Sequence, residues 1–299
     1  MKNIRTIISL LMGCATLSLQ ADLLVYEGWN YALADATSMH TKAITATGMT
    51  GNYADITSGG SATFSTTGLS FGTNYLPTTG GSLYQSATGS TSYTVLRGDI
   101  NTTVSYPMTL WGSYLVQIDE FSTDGTVKVR ANYDDSGNSK ARFISTVDAT
   151  GSSQNTGVGY DSTGTASSGG LTEDVTYLAL SSFTNVGGAG GGTATQYIFT
   201  LGEYDSWLSA GGGLEANLGS YAGITATDSS GDIKSFANYV NFVLGGSGTG
   251  TESAFIDEVR YGTTLGDVIA IPEPSSFLLM LGGMSLIGFG AFRSRRSRS

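Results

Sequence analysis

Residues 114–133 decide the fold class. They read YLVQIDEF, then STDGT, then VKVRANY. In the last run apolar and polar residues take turns: Val127, Val129 and Ala131 alternate with Lys128, Arg130 and Asn132. An alternation with period two directs one face of a β-strand toward a core and the other toward solvent. Asp124 and Gly125 supply the chemistry of a tight turn between the runs. The stretch therefore predicts two paired strands.

Strand-like runs of the same kind recur along the chain, separated by glycine, serine or asparagine. They cover residues 23–26, 62–65, 92–96, 114–121, 126–133, 141–147, 176–183, 196–201, 239–244 and 255–261. Residues 205–210 predict at most one helical turn. A chain with 43 Gly, 16 Tyr and 12 Phe suits short strands joined by turns. We expect one all-β domain over residues 22–271, an antiparallel β-sandwich or jelly roll. A β-helix is the weaker alternative, because no tandem repeat is visible.

Charge and rare residues exclude several classes of function. The net charge is −10, and residues 22–271 carry 23 acidic and eight basic side chains. Nucleic-acid binding needs clustered Lys and Arg, so no nucleic acid is expected as a partner. One His and one Cys are too few for a structural zinc site, a Cys/His protease or a disulfide framework. We expect no cofactor.

The first 21 residues predict a secretory signal peptide. Lys2 and Arg5 precede an uncharged apolar stretch, and the small residue Ala21 closes it. We place the cleavage site directly after Ala21. An uncleaved anchor helix is the alternative, but the apolar run is shorter than the ~20 residues of a membrane span. A second alternative is lipidation at Cys14, since residues 11–14 form a weak lipoprotein box.

The C-terminal segment, residues 272–299, has three parts. Pro272, Glu273 and Pro274 come first, the uncharged run 275–292 follows, and residues 293–299 contain four arginines: Arg293, Arg295, Arg296 and Arg298. Eighteen uncharged residues would form a helix of ~27 Å, close to the thickness of a bilayer core, and a buried core helix is disfavoured because the run has no polar face. Arginines resist translocation, so they are expected to hold the C-terminus in the cytoplasm and to leave residues 22–271 outside.

This three-part order resembles the PEP-CTERM sorting tail of Gram-negative bacteria that produce exopolysaccharide. The resemblance implies recognition of Pro272, Glu273 and Pro274 by an exosortase, a membrane-embedded processing enzyme. It also implies cleavage near the tripeptide and transfer to the cell envelope or the extracellular matrix. Two prolines fix φ and remove two N–H donors, so the segment is held extended, as a processing enzyme requires.

A looser resemblance concerns the two ends of the middle region. LLVYEGWNY, residues 23–31, and FIDEVRYGTTLGDVI, residues 255–269, are similar to the first and last strands of concanavalin/laminin-G-like jelly rolls. In that architecture the terminal strands pair. The resemblance therefore implies that two segments more than two hundred residues apart close one sheet.

Catalysis would have to use carboxylates, and we predict no catalytic residue. The acidic residues form adjacent pairs, such as Asp119-Glu120 and Asp257-Glu258. Neighbours on a strand point to opposite faces, so such a pair cannot flank one glycosidic bond. The Glu-x-Asp-x-x-Glu spacing of laminarinase-type jelly rolls is absent from the sequence. A glycosidase remains the weakest alternative, with acids drawn from distant strands.

Two binding signals remain. Asp134, Asp135 and Asn138 could offer oxygen ligands to Ca²⁺, but a plain turn is the stronger interpretation, and no metal site is predicted. Trp29 lies between Gly28 and Asn30 and is the candidate for stacking on a sugar ring, whereas core packing is the usual role of Trp. The sequence thus predicts an exported, envelope-anchored protein with a structural or matrix-associated role. The alternative is a carbohydrate-binding module for exopolysaccharide.

Overall fold

The computed structural model describes residues 23–269, apart from residues 56–59, 77, 79, 90–92, 102–104, 106–107, 121–125, 135–142, 151–154, 160–164, 169–170, 189–190, 230–238 and 246–249. The described chain is built mostly of antiparallel β-strands, as the sequence predicts. The strands form two sheets, and short helical segments accompany one of them.

Sheet 1 contains, from edge to edge, β14 (Ile224–Asp228), β13 (Ala194–Phe199), β12 (Thr176–Val186), β7 (Met108–Glu120), β16 (Thr251–Gly262), β5 (Ser82–Thr88), β4 (Gly60–Ser65) and β2 (Thr37–Ser38), with β1 (Leu23–Glu27) paired to β16. Sheet 2 contains β11 (Thr165–Ser168), β10 (Asn155–Gly159), β9 (Phe143–Thr150), β8 (Thr126–Asp134), β15 (Tyr239–Gly245), β6 (Tyr93–Ile100) and β3 (Met49–Asp55). The helical segments are α1 (Leu201–Ser209), a 3₁₀ turn (Glu215–Asn217), α2 (Leu218–Tyr221) and α3 (Leu265–Val268).

The inner faces of the two sheets share one apolar core. Val116 and Ile118 of β7 belong to the same buried cluster as Phe242 and Leu244 of β15. Side chains from facing sheets that pack in this way define a β-sandwich. The predicted antiparallel sandwich is therefore confirmed.

The first and last strands of the domain pair with each other. In the antiparallel register of β1 and β16, Tyr26 lies opposite Arg260 and Glu27 lies opposite Val259. The pairing expected from the two terminal segments is confirmed. It brings Glu27, Glu258 and Arg260 into one region of sheet 1.

The pairing predicted within residues 114–133 is wrong, although both strands exist. β7 pairs with β12 and β16 in sheet 1, whereas β8 pairs with β9 and β15 in sheet 2. β7 and β8 therefore belong to different sheets. Turn chemistry identifies a reversal of the chain, but it does not determine which strand becomes the neighbour.

A second core covers part of the outer face of sheet 1. Trp111 and Leu115 of β7 point away from sheet 2 and pack in one cluster with Tyr204 and Trp207 of α1. β7 is thus buried on both faces along most of its length. Within the sheet, β7 also has a neighbouring strand along each edge, β12 and β16, so it lies near the centre of sheet 1.

Helix α1 is longer than the single turn predicted for residues 205–210. It spans nine residues and begins with a capping box, in which Thr200 accepts a hydrogen bond from the Glu203 N–H and Glu203 accepts one from the Thr200 N–H. Such a box satisfies two backbone donors at a helix start. The motif Thr-x-x-Glu was readable in the sequence and marks the true beginning of this helix.

Candidate functional site

Part of the outer face of sheet 1 is not covered by the helices, and it carries two aromatic rings. Tyr84 of β5 lies opposite Phe255 of β16 in the strand register. Their ring centroids are 4.9 Å apart, with 48° between the ring planes. Both rings are half-buried, while the next residues along each strand, Leu83 and Ile256, are fully buried in the inner core. Strand alternation therefore places the two rings on the solvent side.

Two adjoining cavities lie over this aromatic pair. One, of about 500 Å³, is bounded by Tyr84, Phe255, Asp35 and Asp119 among others. The other, of about 320 Å³, is bounded by Phe255, Gln117, Thr176 and the segment 67–70. Ser65 and Phe255 belong to both walls. We refer to the two cavities together as the outer groove.

The polar lining of the outer groove is acidic. Asp119 accepts hydrogen bonds from the Ser253 hydroxyl at 2.8 Å and from the Tyr84 hydroxyl at 3.4 Å. Asp35 accepts a hydrogen bond from the Thr66 N–H at 3.0 Å. Among the lining residues the structure describes, no lysine or arginine is present. The groove thus combines an apolar floor with hydroxyl, amide and carboxylate groups.

Asp257 fixes one wall of the outer groove from below. Its carboxylate accepts hydrogen bonds from the Leu69 N–H at 2.8 Å and from the Glu258 N–H at 2.7 Å. Only 1% of the side chain is exposed, and burial raises the pKa of Asp257 to about 8. Desolvation disfavours the charged form of a carboxyl group, which is the cause of this shift. Asp257 is a structural anchor of the segment that contains Leu69.

Beside Asp257, strand β16 is interrupted by a bulge. The strand register shifts between Asp257 and Arg260, and Glu258 has a φ of 52°. Glu258 is fully buried and accepts a 2.6 Å hydrogen bond from Arg260 and one of 3.2 Å from the Tyr26 hydroxyl. The Arg260 guanidinium also lies 4.1 Å from the centre of the Tyr26 ring. The bulge therefore holds a buried ion pair at the junction of the first and last strands.

A third buried carboxylate, Glu27, lies on the inner side of the same junction. It accepts hydrogen bonds from the Trp29 N–H at 2.6 Å, from the Tyr31 hydroxyl at 2.9 Å and from the Tyr53 hydroxyl. Burial raises the pKa of Glu27, and burial together with the nearby Glu27 raises the pKa of Tyr31 to about 12. Glu27 and Glu258, like Asp257, are held by internal donors.

Trp29, the candidate for sugar stacking, packs in the core instead, which is the interpretation favoured for the tryptophans from the sequence. Its side chain has no exposed surface and packs on Tyr53 and Phe242, with ring centroids 5.6 Å and 5.1 Å away. The backbone of Trp29 has a φ of 50°, and this turn directs the ring into the core. The Gly-Trp-Asn sequence suggested an exposed loop, but a left-handed turn reverses the direction of the side chain.

Tyr84 and Phe255 were not predicted as candidate binding residues. Each points to the solvent face of its strand, whereas the residues directly before and after it are buried. An aromatic residue at an otherwise polar position of an alternating strand was the available signal. It becomes informative only when the two strands are known to be neighbours.

The other predicted site residues lie outside the described part of the chain. These are Ala21, Asp135, Asn138, Pro272, Glu273, Pro274, Arg293, Arg295, Arg296 and Arg298, while Asp134 is the last residue of β8. Among the residues that are described, no group of three or more His, Cys, Asp or Glu side chains could hold a metal ion.

We expect that a calcium chelator leaves the melting temperature of the protein unchanged. A turn at residues 133–140 requires no ion, because Asp and Asn side chains stabilise turns through their own backbone contacts. The measurement is thermal unfolding with and without EGTA. A fall of several degrees on chelation would instead assign a Ca²⁺ site to Asp134, Asp135 and Asn138.

The C-terminal segment gives the clearest match to known proteins. Residues 270–296 match the family model of the PEP-CTERM protein-sorting motif. The chain carries a PEP-CTERM sorting motif. This motif implies an exported surface protein that undergoes membrane-associated sorting by an exosortase in a Gram-negative bacterium. The resemblance expected for Pro272, Glu273 and Pro274 is thus confirmed at the level of the motif.

No helix among residues that the structure describes is long and apolar enough to cross a membrane. The membrane span predicted for residues 275–292 and the signal peptide predicted for residues 1–21 both lie outside those residues.

Several solved structures are similar to parts of this chain, all at low sequence identity and with TM-scores below 0.5. Alginate lyase vAL-1 from a Chlorella virus is 8% identical, with a TM-score of 0.37 over 62% of this chain and 85% of the lyase. Protein SO2946 from Shewanella oneidensis MR-1 is 13% identical, with a TM-score of 0.40 over 85% of this chain and 92% of its own. Peanut lectin is 9% identical, with a TM-score of 0.36 over 71% and 98%. No curated protein sequence matches the chain.

Proposed function

We propose that this protein is a structural or matrix-associated component of the bacterial cell surface, delivered there by exosortase-type processing of its C-terminal tail. The observation that carries the proposal is the PEP-CTERM motif at residues 270–296. The 18 uncharged residues 275–292 and the terminal arginines support a membrane-inserted intermediate whose C-terminus faces the cytoplasm.

The proposed route has two stages. A signal peptide, removed after Ala21, directs export, and the tail then tethers the folded sandwich to the inner membrane. Exosortase cleavage near Pro272–Pro274 transfers the sandwich to the cell envelope or the extracellular matrix.

Replacing Pro272, Glu273 and Pro274 together with alanine should leave export intact and abolish processing of the tail. Alanines restore two N–H donors and the helical conformation, so the extended segment that the enzyme would bind is lost. Immunoblots of fractionated cells should show the unprocessed protein accumulating in the inner membrane.

The matched control is replacement of Ser275 and Ser276 with alanine, which leaves the tripeptide, the apolar run and the arginines in place. This control should be processed normally. Normal maturation of the triple-alanine variant would refute the sorting role of the tripeptide.

Carbohydrate binding is a second candidate function, and the outer groove favours it. A half-buried Tyr–Phe pair on a solvated sheet face, bordered by Gln117, Asp119 and Thr176, offers an apolar platform with hydrogen-bonding groups around it. We propose binding without hydrolysis. The buried acids Glu27, Asp257 and Glu258 are occupied by internal donors. Release of reducing ends from a bound glycan, lost on replacing Asp35 or Asp119 with asparagine, would overturn the proposal of binding alone.

A further inference from the structure

The floor of the outer groove has the shape that a sugar ring requires. Pyranose rings present a flat face of C–H groups, and aromatic rings accept such faces because their surface is apolar and electron-rich. Tyr84 and Phe255 lie with ring centroids 4.9 Å apart and 48° between the ring planes, and both line the larger cavity. The cavities of about 320 and 500 Å³ continue from Phe255 in two directions. A chain of sugars, rather than a single sugar, fits this extended form.

The rim of the groove offers partners for hydroxyl groups. Gln117 and Thr176 lie on one side of Phe255, and Ser61 and Thr63 lie on the side of Tyr84. Amide and hydroxyl groups both donate and accept hydrogen bonds, as sugar hydroxyls do. The Asp119 carboxylate only accepts hydrogen bonds, and it can accept them from sugar hydroxyls in addition to those from the Ser253 and Tyr84 hydroxyls.

Charge decides which glycans are compatible with the groove. Two carboxylates, Asp35 and Asp119, belong to its lining, and no cation does among the residues described. Arg260 is paired with Glu258, and Arg97 stacks on the Tyr239 ring of sheet 2. Like charges brought together at an interface oppose binding and thereby exclude partners. A polymer of uronic acids or sulfated sugars would place its anions next to Asp119.

We propose that the outer groove binds a glycan chain that carries no acidic groups, through stacking on Tyr84 and Phe255 and hydrogen bonds to Asp119 and Gln117. This inference rests on the carbohydrate-binding function proposed above and adds the chemical class of the ligand and the residues that select it. The groove would thereby attach the sorted sandwich to neutral polysaccharide and leave acidic polysaccharide unbound.

The test uses the full-length protein in non-ionic detergent and the host's own exopolysaccharide, separated by anion exchange into neutral and acidic fractions. Binding is measured by affinity electrophoresis and calorimetry at physiological ionic strength. We expect retention by the neutral fraction only. Tyr84→Ala should weaken this binding by about tenfold or more, as loss of a central aromatic anchor usually does. Tyr84→Leu keeps the apolar volume without the flat ring and should have a similar effect.

Two further variants complete the design. Asp119→Asn keeps one carbonyl acceptor and removes the charge, so it should retain most neutral binding and gain affinity for the acidic fraction. Tyr197→Ala is the matched control, because Tyr197 is also a half-buried tyrosine on sheet 1 but lines a different cavity beside the 3₁₀ turn. It should bind as the unaltered protein does. Unfolding curves for each variant confirm that the fold is kept.

The outcomes separate the two proposals. Binding of the acidic fraction that is lost with Tyr84→Ala would overturn the inferred ligand class and leave carbohydrate binding standing. Binding of the neutral fraction that survives both Tyr84 variants would overturn the assignment to the groove. Absence of binding to either fraction would refute carbohydrate binding itself.

Discussion

Replacing Arg260 with methionine should lower the free energy of unfolding by about 3–5 kcal/mol, the usual cost of removing one partner of a buried ion pair. Glu258 is fully buried and lies 2.6 Å from the Arg260 guanidinium. Without Arg260, the Glu258 carboxylate would remain in the protein interior with the Tyr26 hydroxyl as a neutral donor. Hydrogen bonding to a hydroxyl does not replace the attraction of a full charge at this distance. Denaturant-induced unfolding of the full-length chain in detergent measures the effect.

Two comparisons make the Arg260 prediction specific. Adding Glu258→Gln to Arg260→Met should recover much of the lost stability, because a neutral amide no longer leaves a charge unpaired in the interior. Lys42→Met removes a partly exposed cation and should change stability by less than about 0.5 kcal/mol. If Arg260→Met were no more destabilising than Lys42→Met, the ion pair would not contribute to holding the terminal strands together.

The strands of this protein were largely predictable because alternation is a local property. The runs at residues 126–133 and 239–244 appear in the structure as β8 and β15 with nearly the same limits. Neighbour relations were predictable only where a resemblance supplied them, as for β1 and β16. For β7 and β8 the local turn signal favoured pairing, whereas β7 pairs with β12 and β16, which come from distant parts of the chain. Pairing with such distant strands cannot be predicted from a short stretch of sequence.

The candidate functional residues also fall into two groups, those that are readable locally in the sequence and those that depend on distant strands. The sorting motif is linear, so Pro272, Glu273 and Pro274 could be identified from their order alone. The outer groove is assembled from β4, β5, β7 and β16, and its floor exists only after Tyr84 and Phe255 become neighbours. Trp29 was the more conspicuous aromatic in the sequence, yet its left-handed backbone turns it into the core. The residue type seen in the sequence therefore does not show whether the side chain is accessible in the fold.

The bulge at Asp257 and Glu258 gives two adjacent acids separate structural roles. Strict alternation would place one on each face of sheet 1, but the register shift and the φ of 52° at Glu258 break the alternation. Bulges of this kind re-aim side chains and commonly lie close to functional surfaces. Here the bulge lets Asp257 hold the groove segment at Leu69 while Glu258 pairs with Arg260. The groove wall and the closure of the terminal strands therefore depend on neighbouring residues of one strand.

Raising the pH from 5 to 9 should destabilise the folded protein, and Asp257→Asn should remove much of this dependence. Burial raises the pKa of Asp257 from an ordinary 3.8 to about 8, with the nearby Glu258 and Glu27 acting in the same direction and the Leu69 and Glu258 N–H groups opposing it. Between these two values the folded protein keeps a proton that the unfolded chain has released. Stability conferred by the protonated form is complete below pH 3.8 and is lost as the pH rises through about 8.

The magnitude of the pH effect follows from linkage. One group that holds its proton only in the folded state changes the free energy of unfolding by at most about 1.4 kcal/mol per pH unit. The decrease should level off above pH 8, where both states have lost the proton. Unfolding by guanidinium at each pH measures the slope for the full-length chain. Asp257→Asn should have a shallower slope, because an amide does not titrate in this range.

Substitutions at Glu27 and Lys42 distinguish the titration of Asp257 from a general loss of stability. Burial also raises the pKa of Glu27, so Glu27→Gln should flatten the remaining slope of the Asp257→Asn variant. Lys42→Met should keep the slope of the unaltered protein. Parallel slopes for the unaltered protein and Asp257→Asn would show that Asp257 is ionised in the fold at pH 5. The anchor beneath the groove would then be a charged carboxylate, and the strength of its hold on Leu69 would no longer depend on pH.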